Sequence, residues 1–256
     1  MPSGFPEQLW KALGGWWRDE ARAKGAAKAT SLLLGNLWGF VRDSTPERQR
    51  QRYGDMDYDW EHRVDTTSGT VGWRPRLLGV FHSPYQPTDP ALFREMMACL
   101  PSELDTFTFI DLGSGKGRTL LMASEYPFRK IIGVELLPEL HEIAQENLAR
   151  YKNKSQKCRA LQAICGDAVD FDFPDEPLVI FLFNPLPEAG LSTVMAHLDA
   201  SLRVHPRAVY VLYHNPLLAS VICASAVLAK IGGTEQYSIY SAYAAGDPYP
   251  LPKMGL

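Results

Sequence analysis

The sequence predicts an α/β fold in which a mostly parallel sheet is covered by helices on both faces and is preceded by a helical extension. Two observations support this fold class. From residue 106 onward, short apolar segments alternate with segments of helical period, and strands that alternate with helices form parallel sheets. One such segment, residues 179–183, is wholly apolar, as expected of a strand that is covered on both faces.

The elements follow from hydrophobic period and from the positions of glycine and proline. Thr88 or Asp89 is expected to cap a helix that has Pro90 in its first turn and runs to about residue 100. The last predicted strand alternates polar and apolar residues, so we place it at an edge of the sheet, with an antiparallel arrangement as one option. Strands are predicted at 107–112, 130–136, 160–165, 178–184, 208–213 and 237–244, and the remaining helices at 117–124, 138–151, 189–202 and 216–229.

The N-terminal part of the chain has a different character. Apolar residues recur at helical spacing within residues 5–43, which predicts two amphipathic helices. We therefore divide the chain into a helical extension (1–45), a connector with little regular structure (46–75) and one large domain (76–256). Residues 1–52 carry nine Lys or Arg against five Asp or Glu, and the remainder carries seventeen against twenty-four. We expect the helices of residues 1–43 to pack on the domain and cover its active-site edge. Docking of a protein partner and peripheral contact with an anionic membrane surface are the alternatives.

Composition narrows the class of protein further. A chain of 256 residues with a net charge of -3 has no general electrostatic footprint for nucleic acid. None of the four cysteines forms a CxxC pair or a zinc spacing, and the histidines form no spaced ligand set, so no metal site is predicted. No secretory signal is recognised at the start of the sequence. We expect a reducing compartment and a cytoplasmic location.

The most informative segment, residues 109–118, reads Phe-Ile-Asp-Leu-Gly-Ser-Gly-Lys-Gly-Arg. Glycines after a buried strand let the backbone turn sharply and approach a ligand closely. An acid just before the first glycine would repel a pyrophosphate, which argues against a nicotinamide-dependent oxidoreductase, but it would attract the cationic amine of S-adenosylmethionine (SAM). We predict SAM as the cofactor. The candidate binding residues in this segment are Asp111, Gly113, Ser114, Gly115 and Gly117.

The next two strand ends supply further cofactor candidates. Glu135 ends the second strand, a position from which a carboxylate can accept both ribose hydroxyls of an adenosine. Asp167 follows the third strand and is expected to bond the adenine amino group, with the backbone amide of Ala168 facing the ring. Each acid alone could be an ordinary cap or surface residue. Their occurrence at three successive strand ends favours a binding site.

These residues resemble the class I SAM-dependent methyltransferases. The resemblance covers about residues 80–230 and implies a three-layer, Rossmann-like methyltransferase fold with a seven-stranded sheet, in which the same residues bind SAM. Because the chain after the last predicted helix is short, we expect the final hairpin to be reduced or irregular. A narrower similarity lies in Tyr85-Gln-Pro-Thr88, which with the following helix and glycine motif resembles the lysine methyltransferases of the ATP synthase c-subunit and, less closely, the non-SET histone lysine methyltransferases. It implies that Tyr85 and Thr88 line the SAM pocket.

Two residues are candidates for the chemistry. Asn184 ends the fourth strand, beneath the methyl group to be transferred, and is followed by proline, so it is also a candidate for binding the cofactor. In amino-directed methyltransferases an Asn or Asp at this position holds the acceptor amine. The aromatic residue that usually follows is missing here, which disfavours a flipped nucleobase as acceptor. His214 ends the next strand and is a candidate base, since its unperturbed pKa lies near neutrality. The alternatives are a strand-end cap for Asn184 and a helix N-terminal role around His214.

The predicted function is therefore transfer of a methyl group from SAM to an acceptor that the sequence does not identify. A protein side-chain nitrogen is slightly favoured over a small molecule. A non-catalytic binding or scaffold protein on the same fold is the third possibility.

Overall fold

In the computed structural model, which describes residues 5–43, 56–67 and 86–242, the predicted alternation of strands and helices is present. The helices are α1 (Phe5–Lys24), α2 (Ala26–Asp43), α3 (Met56–His62), α4 (Pro90–Ala98), α5 (Arg118–Ala123), α6 (Pro138–Arg150), α7 (Glu188–Val204) and α8 (Ala219–Cys223), with a 3-10 turn at Ala168–Asp170. The strands are β1 (Thr108–Leu112), β2 (Lys130–Glu135), β3 (Leu161–Cys165), β4 (Leu178–Leu182), β5 (Val209–His214), β6 (Ala229–Gly233) and β7 (Tyr237–Ala242).

The described residues divide into two compact units. The first contains α1, α2 and most of α3. Gly25, with φ of 87°, separates α1 from α2, which form a helical hairpin. Within it Ala29 is fully buried and Trp17 Nε1 donates to Thr30 Oγ1 at 3.3 Å. No helix in the described part of the chain is long and apolar enough to cross a membrane.

The second unit contains residues 62–66 and the whole sheet. The strand order is β3-β2-β1-β4-β5-β7-β6. The first five strands in this order are parallel, and β7 is antiparallel to both β5 and β6. Chain progression reverses between β1 and β4. In open α/β sheets ligands bind beyond the carboxyl ends of the strands at such a switch point.

Burial follows the sheet order. Every residue of β1, β4 and β7 is buried, whereas β3 and β6, at the two edges, are partly exposed. One face of the sheet packs against α7 through a cluster that includes Leu191, Val194 and Leu198. The continuous apolar strands identified in the sequence are thus the interior ones.

Three sequence expectations need correction. The last strand is antiparallel as considered, but it lies inside the sheet between β5 and β6 rather than at an edge. The alternation of polar and apolar residues predicted an edge strand, but the polar positions are the small hydroxyl residues Ser238 and Ser241. Both are buried, at 1% and 2% exposed. The helix expected at 216–229 is shortened to α8, because Asp199 accepts from Ser225 Oγ at 2.6 Å and fixes a turn that leads into β6. Part of the connector forms α3.

The other elements agree with the prediction to within a few residues. Asp89 caps α4, with its Oδ1 accepting the amides of Ala91 and Leu92 at 2.8 and 3.0 Å. This result decides between the two cap candidates. The final hairpin is present with a register shift between Lys230 and Gly232, as an irregular hairpin would have.

Candidate active site

The loop between β1 and α5 is the centre of the site. Gly113, Gly115 and Gly117 have φ values of +81°, +53° and +84°, a region that side chains with Cβ atoms rarely adopt. The amides of Gly113 and Ser114 donate to the Val134 carbonyl of β2 at 2.8 and 3.0 Å. The sequence prediction of a sharp turn after β1 is therefore realised at all three glycines.

This loop makes two close approaches to neighbouring segments, the closer of them at Gly113. A Cβ at Gly113 would lie 2.5 Å from Cβ of Pro185, and one at Gly117 would lie 3.3 Å from Cβ of Ala144 in α6. The loop is thus enclosed by the segment after β4 on one side and by α6 on the other. Ser114 is buried beside Gly133 in β2, where a Cβ would lie 2.7 Å from Ser114 Oγ.

Asp111 lies near the end of β1 and is buried. Desolvation, followed by the nearby charge of Glu135, raises its pKa to about 8, against a weaker opposing hydrogen bond from Thr119. A buried carboxylate of this kind is stabilised by a cationic ligand group. The amine of SAM is such a group, so this residue fits the predicted cofactor.

Glu135 is held in place by the backbone around it. Its Oε2 accepts the Gly115 amide and its Oε1 accepts the Leu137 amide, both at 2.8 Å. Burial raises the pKa of this carboxyl, and the bonds from Leu137 and Gly115 oppose the increase. Each oxygen has a further lone pair, so Glu135 would accept the ribose hydroxyls of SAM from a fixed position.

The remaining cofactor candidates lie around the same strand ends. Asp167 is exposed and its Oδ1 accepts the Val169 amide at 3.0 Å, while Ala168 is buried at the start of the 3-10 turn. Thr88 is 2% exposed, in the segment before α4. Tyr85 lies outside the described residues, so its proposed place in the pocket stays a prediction.

Asn184 lies two residues after β4 in a left-handed conformation, with φ of +46°, and its side-chain amide is bonded through both Nδ2 and Oδ1. Nδ2 donates to the Asn215 carbonyl at 2.8 Å, and Oδ1 accepts from the Tyr213 hydroxyl at 2.7 Å. The Tyr213 hydroxyl in turn accepts the Leu218 amide at 3.2 Å. These bonds join the ends of β4 and β5 and fix the carboxamide, while Nδ2 keeps a second hydrogen and Oδ1 a second lone pair. They support the strand-end role, and the acceptor role stays a prediction.

His214 follows Tyr213 and is half-buried. Its ring lies on that of Phe183, with centroids 3.8 Å apart and an interplanar angle of 34°. Burial lowers the pKa of His214 to about 4, and the charge of Asp89 opposes that shift. The imidazole is neutral at physiological pH and, with this pKa, is a weak base. This low pKa makes His214 less suited to the predicted role of catalytic base, which stays a prediction.

Sequence reasoning gave no role to several residues that the structure brings to the site. Tyr213 directly precedes His214 near the end of a predicted strand, and that position was the available signal. Asp65 bonds to Lys116 of the glycine loop across 51 residues of sequence, a separation at which no local pattern is informative. In the part of the chain that the structure describes, no three His, Cys, Asp or Glu side chains are grouped as a metal site.

Comparisons with known proteins agree with this geometry. A family model for a methyltransferase domain matches residues 110–184, from β1 to Asn184. No curated protein matches the chain by sequence.

Similar solved structures include an RNA methyltransferase from Salinibacter ruber in complex with S-adenosyl-L-homocysteine (18% identity, TM-score 0.44, covering 65% of this chain and 99% of that one). A precorrin-6y C5,15-methyltransferase from Geobacter metallireducens is 16% identical with a TM-score of 0.46, covering 62% and 90%. The glycopeptide N-methyltransferase MtfA in complex with SAM is 11% identical with a TM-score of 0.46, covering 63% and 89%. The three act on different acceptors, and likeness at this level indicates none for this chain.

A methyltransferase-domain model matches residues 110–184, and the sheet order, the glycine loop and the buried acids Asp111 and Glu135 fit a SAM-dependent methyltransferase. The chain is such an enzyme, with S-adenosylmethionine as its cofactor.

Proposed function

We propose that the enzyme methylates a nitrogen atom of a protein side chain. The observation that carries this proposal is the position of the Asn184-Pro185 turn. A Cβ at Gly113 of the cofactor loop would lie 2.5 Å from Cβ of Pro185, so the turn that contains Asn184 packs against the segment that would hold the methyl donor.

The chemistry requires an acceptor with a free lone pair. When bound, SAM supplies a methyl group on a positively charged sulfur. An acceptor that arrives as a cation would first release a proton to solvent. The neutral nitrogen could then form a C–N bond as the C–S bond breaks, with the sulfur keeping that electron pair and the methylated nitrogen losing any further proton to solvent. Because little covalent chemistry falls to the protein, its main contributions are alignment and exclusion of water.

Asn184 suits the alignment of an amine. Its remaining lone pair on Oδ1 can accept an amine hydrogen, which directs the nitrogen lone pair away from the amide. The bonds from Tyr213 and to Asn215 keep the carboxamide from rotating, so no reorganisation is needed when the acceptor arrives. A hydroxyl or carbon acceptor would gain less from such a group.

His214 supports the same proposal as a neutral neighbour. A charged imidazolium would repel both an incoming cationic side chain and the sulfonium of the cofactor, whereas burial keeps this ring uncharged. Asp89, whose charge acts on His214, adds a negative group on this side of the site that would attract a lysine or arginine. We assign His214 to orientation of the acceptor rather than to proton removal.

We further propose a cytoplasmic location. The four cysteines are unpaired thiols in the structure, which suits a reducing compartment.

The test is transfer of radiolabelled methyl groups from SAM into whole-cell extract, followed by size separation and hydrolysis of the labelled fraction. Label in protein, recovered as N-methyl amino acid, is the expected result. Label in the small-molecule fraction would contradict the protein acceptor, and an O-methyl product would contradict the nitrogen.

Asn184→Ala provides the matched variant. If the amide orients the acceptor, the variant should lose about 100-fold in kcat while its SAM affinity changes little, because the lost interaction is made mainly in the transition state. Binding of S-adenosylhomocysteine measured by calorimetry serves as the control for cofactor binding. Turnover equal to that of the unmodified enzyme would reduce Asn184 to a strand-end cap.

A further inference from the structure

The glycine-rich loop carries two long cationic side chains, Lys116 and Arg118, that are 0% and 1% exposed. Both bond to a short segment that lies about fifty residues earlier in the chain. Lys116 Nζ is 2.8 Å from Asp65 Oδ1, and Arg118 Nε donates to Thr66 Oγ1 at 2.6 Å. The cofactor loop is therefore attached to residues 62–66, which belong to the same compact unit.

Asn147 of α6 forms hydrogen bonds with both Asp65 and Lys116. It is 1% exposed, its Oδ1 accepts the Asp65 amide at 2.8 Å, and its Nδ2 donates to the carbonyls of Asp65 and Lys116 at 2.7 and 2.9 Å. A single buried carboxamide thus fixes the backbone of both segments. The position of the Asp65 carboxylate relative to the loop is set by this bridge.

The Lys116–Asp65 pair has an electrostatic consequence for the cofactor. A buried ammonium is tolerated where a carboxylate neutralises it, and removing one partner of such a pair leaves a strongly unfavourable charge. Lys116 stands between Gly115 and Gly117, so the pair with Asp65 acts on the loop that carries it. The Lys116 side chain is fully buried while that of Asp65 is 42% exposed, so the ammonium would have to leave its buried position to be solvated by water.

We propose that Asp65 is a positioning residue for SAM. By neutralising the buried Lys116 ammonium, it keeps the glycine-rich loop in the conformation that binds the cofactor, without itself touching the cofactor. Cofactor affinity then depends on a residue that lies before the methyltransferase domain matched at residues 110–184. The proposal does not depend on which acceptor the enzyme methylates.

The experiment measures binding of S-adenosylhomocysteine to the full-length protein by calorimetry, with the melting temperature of the free protein recorded in parallel. Asp65→Asn keeps the size of the side chain and removes its charge, so it should weaken binding by about tenfold or more. Adding Lys116→Met removes the ammonium as well, and the double variant should recover to within about threefold of the unmodified protein. A loss of packing alone would not be reversed by a second substitution.

Glu146→Gln is the matched control. This residue neighbours Asn147 on α6, but it forms an exposed pair with Arg150, so the substitution should leave binding unchanged. Wild-type affinity in Asp65→Asn, or a double variant as weak as the single one, would overturn the proposal. If Asp65→Asn does not fold, Lys116→Met is compared with the double variant. Equal affinities would then support the proposal, and a tenfold difference would refute it.

Discussion

The carboxyl ends of β1 and β2, which would hold the cofactor (the cofactor edge), and those of β4 and β5, which we propose face the acceptor (the acceptor edge), are built in different ways. At β1 and β2 the backbone turns on glycine, and the acids Asp111 and Glu135 are 3% and 7% exposed. At β4 and β5 the turns are made by Asn184 and Asn215, with φ of +46° and +49°, and the side chains there are half-buried or exposed. Both edges use left-handed backbone, with glycine at one and asparagine at the other.

The difference reflects what each edge must present. Glycine removes the side chain so that backbone can approach a ligand or a neighbouring segment, as at Gly113. Asparagine tolerates the same conformation but brings a carboxamide, which at Asn184 bonds the neighbouring strand end. The cofactor edge thus offers backbone and buried carboxyl groups, and the acceptor edge offers fixed neutral polar groups.

The largest effect is expected at the contact between the two edges. Gly113→Ala would place a Cβ 2.5 Å from Pro185 on a residue with φ of +81°. Left-handed strain and overpacking together should lower the free energy of unfolding by about 2–5 kcal/mol. Urea denaturation measures this change, and cofactor binding should fall with it.

Gly15→Ala is the control for that substitution, because a Cβ there meets nothing within 4 Å and φ is not positive. It should leave stability unchanged or raise it slightly, as alanine favours helix. A Gly113→Ala protein as stable as Gly15→Ala would show that the two edges are not in close contact.

The buried carboxyl group of Asp111, at the cofactor edge, predicts that the stability of the protein depends on pH. The folded-state pKa of Asp111 is about 8, above the model-peptide value of 3.8, so its contribution to stability is complete below about pH 4 and is lost as pH rises through 8. Asp111→Asn cannot ionise and should avoid this loss. Between about pH 5 and pH 8 the variant should gain on the order of 3 kcal/mol relative to the unmodified protein. Denaturation curves at several pH values test this, and parallel pH profiles for the two proteins would contradict it.

The smallest effect is expected at Tyr213, whose hydroxyl donates to Asn184 Oδ1. Tyr213→Phe keeps the ring and frees one end of the carboxamide, so kcat should fall by roughly tenfold, equivalent to one hydrogen bond. Binding of S-adenosylhomocysteine should not change. A loss of cofactor affinity instead would mean that the acceptor edge also shapes the cofactor pocket.

The cofactor edge could be predicted from sequence because its chemistry is local. Asp111 and the three glycines lie within seven consecutive residues, and Glu135 ends the following strand. Such spacings are visible without knowledge of the fold. The parallel strands could be predicted for a similar reason, since each is a short, largely apolar segment and β4 is wholly apolar.

The remaining features depend on distant residues. Asp65 meets Lys116, and Ser225 meets Asp199, through bonds that become apparent only when the chain is folded. The second of these ends α8 early and allows β6 to form, which hydrophobic period alone cannot indicate. The interior position of β7 could not be predicted, because a buried serine cannot be distinguished from an exposed one in the sequence.

The interior place of β7 also constrains the order of events during synthesis. The free edge of β5 is paired by β7, not by β6, although β6 is made first. Until Tyr237–Ala242 has emerged from the ribosome, β5 therefore presents an unpaired, apolar edge of the kind that recruits other chains. Nascent chains that stop before this point should be prone to aggregate and should depend on chaperones, however complete the cofactor loop already is.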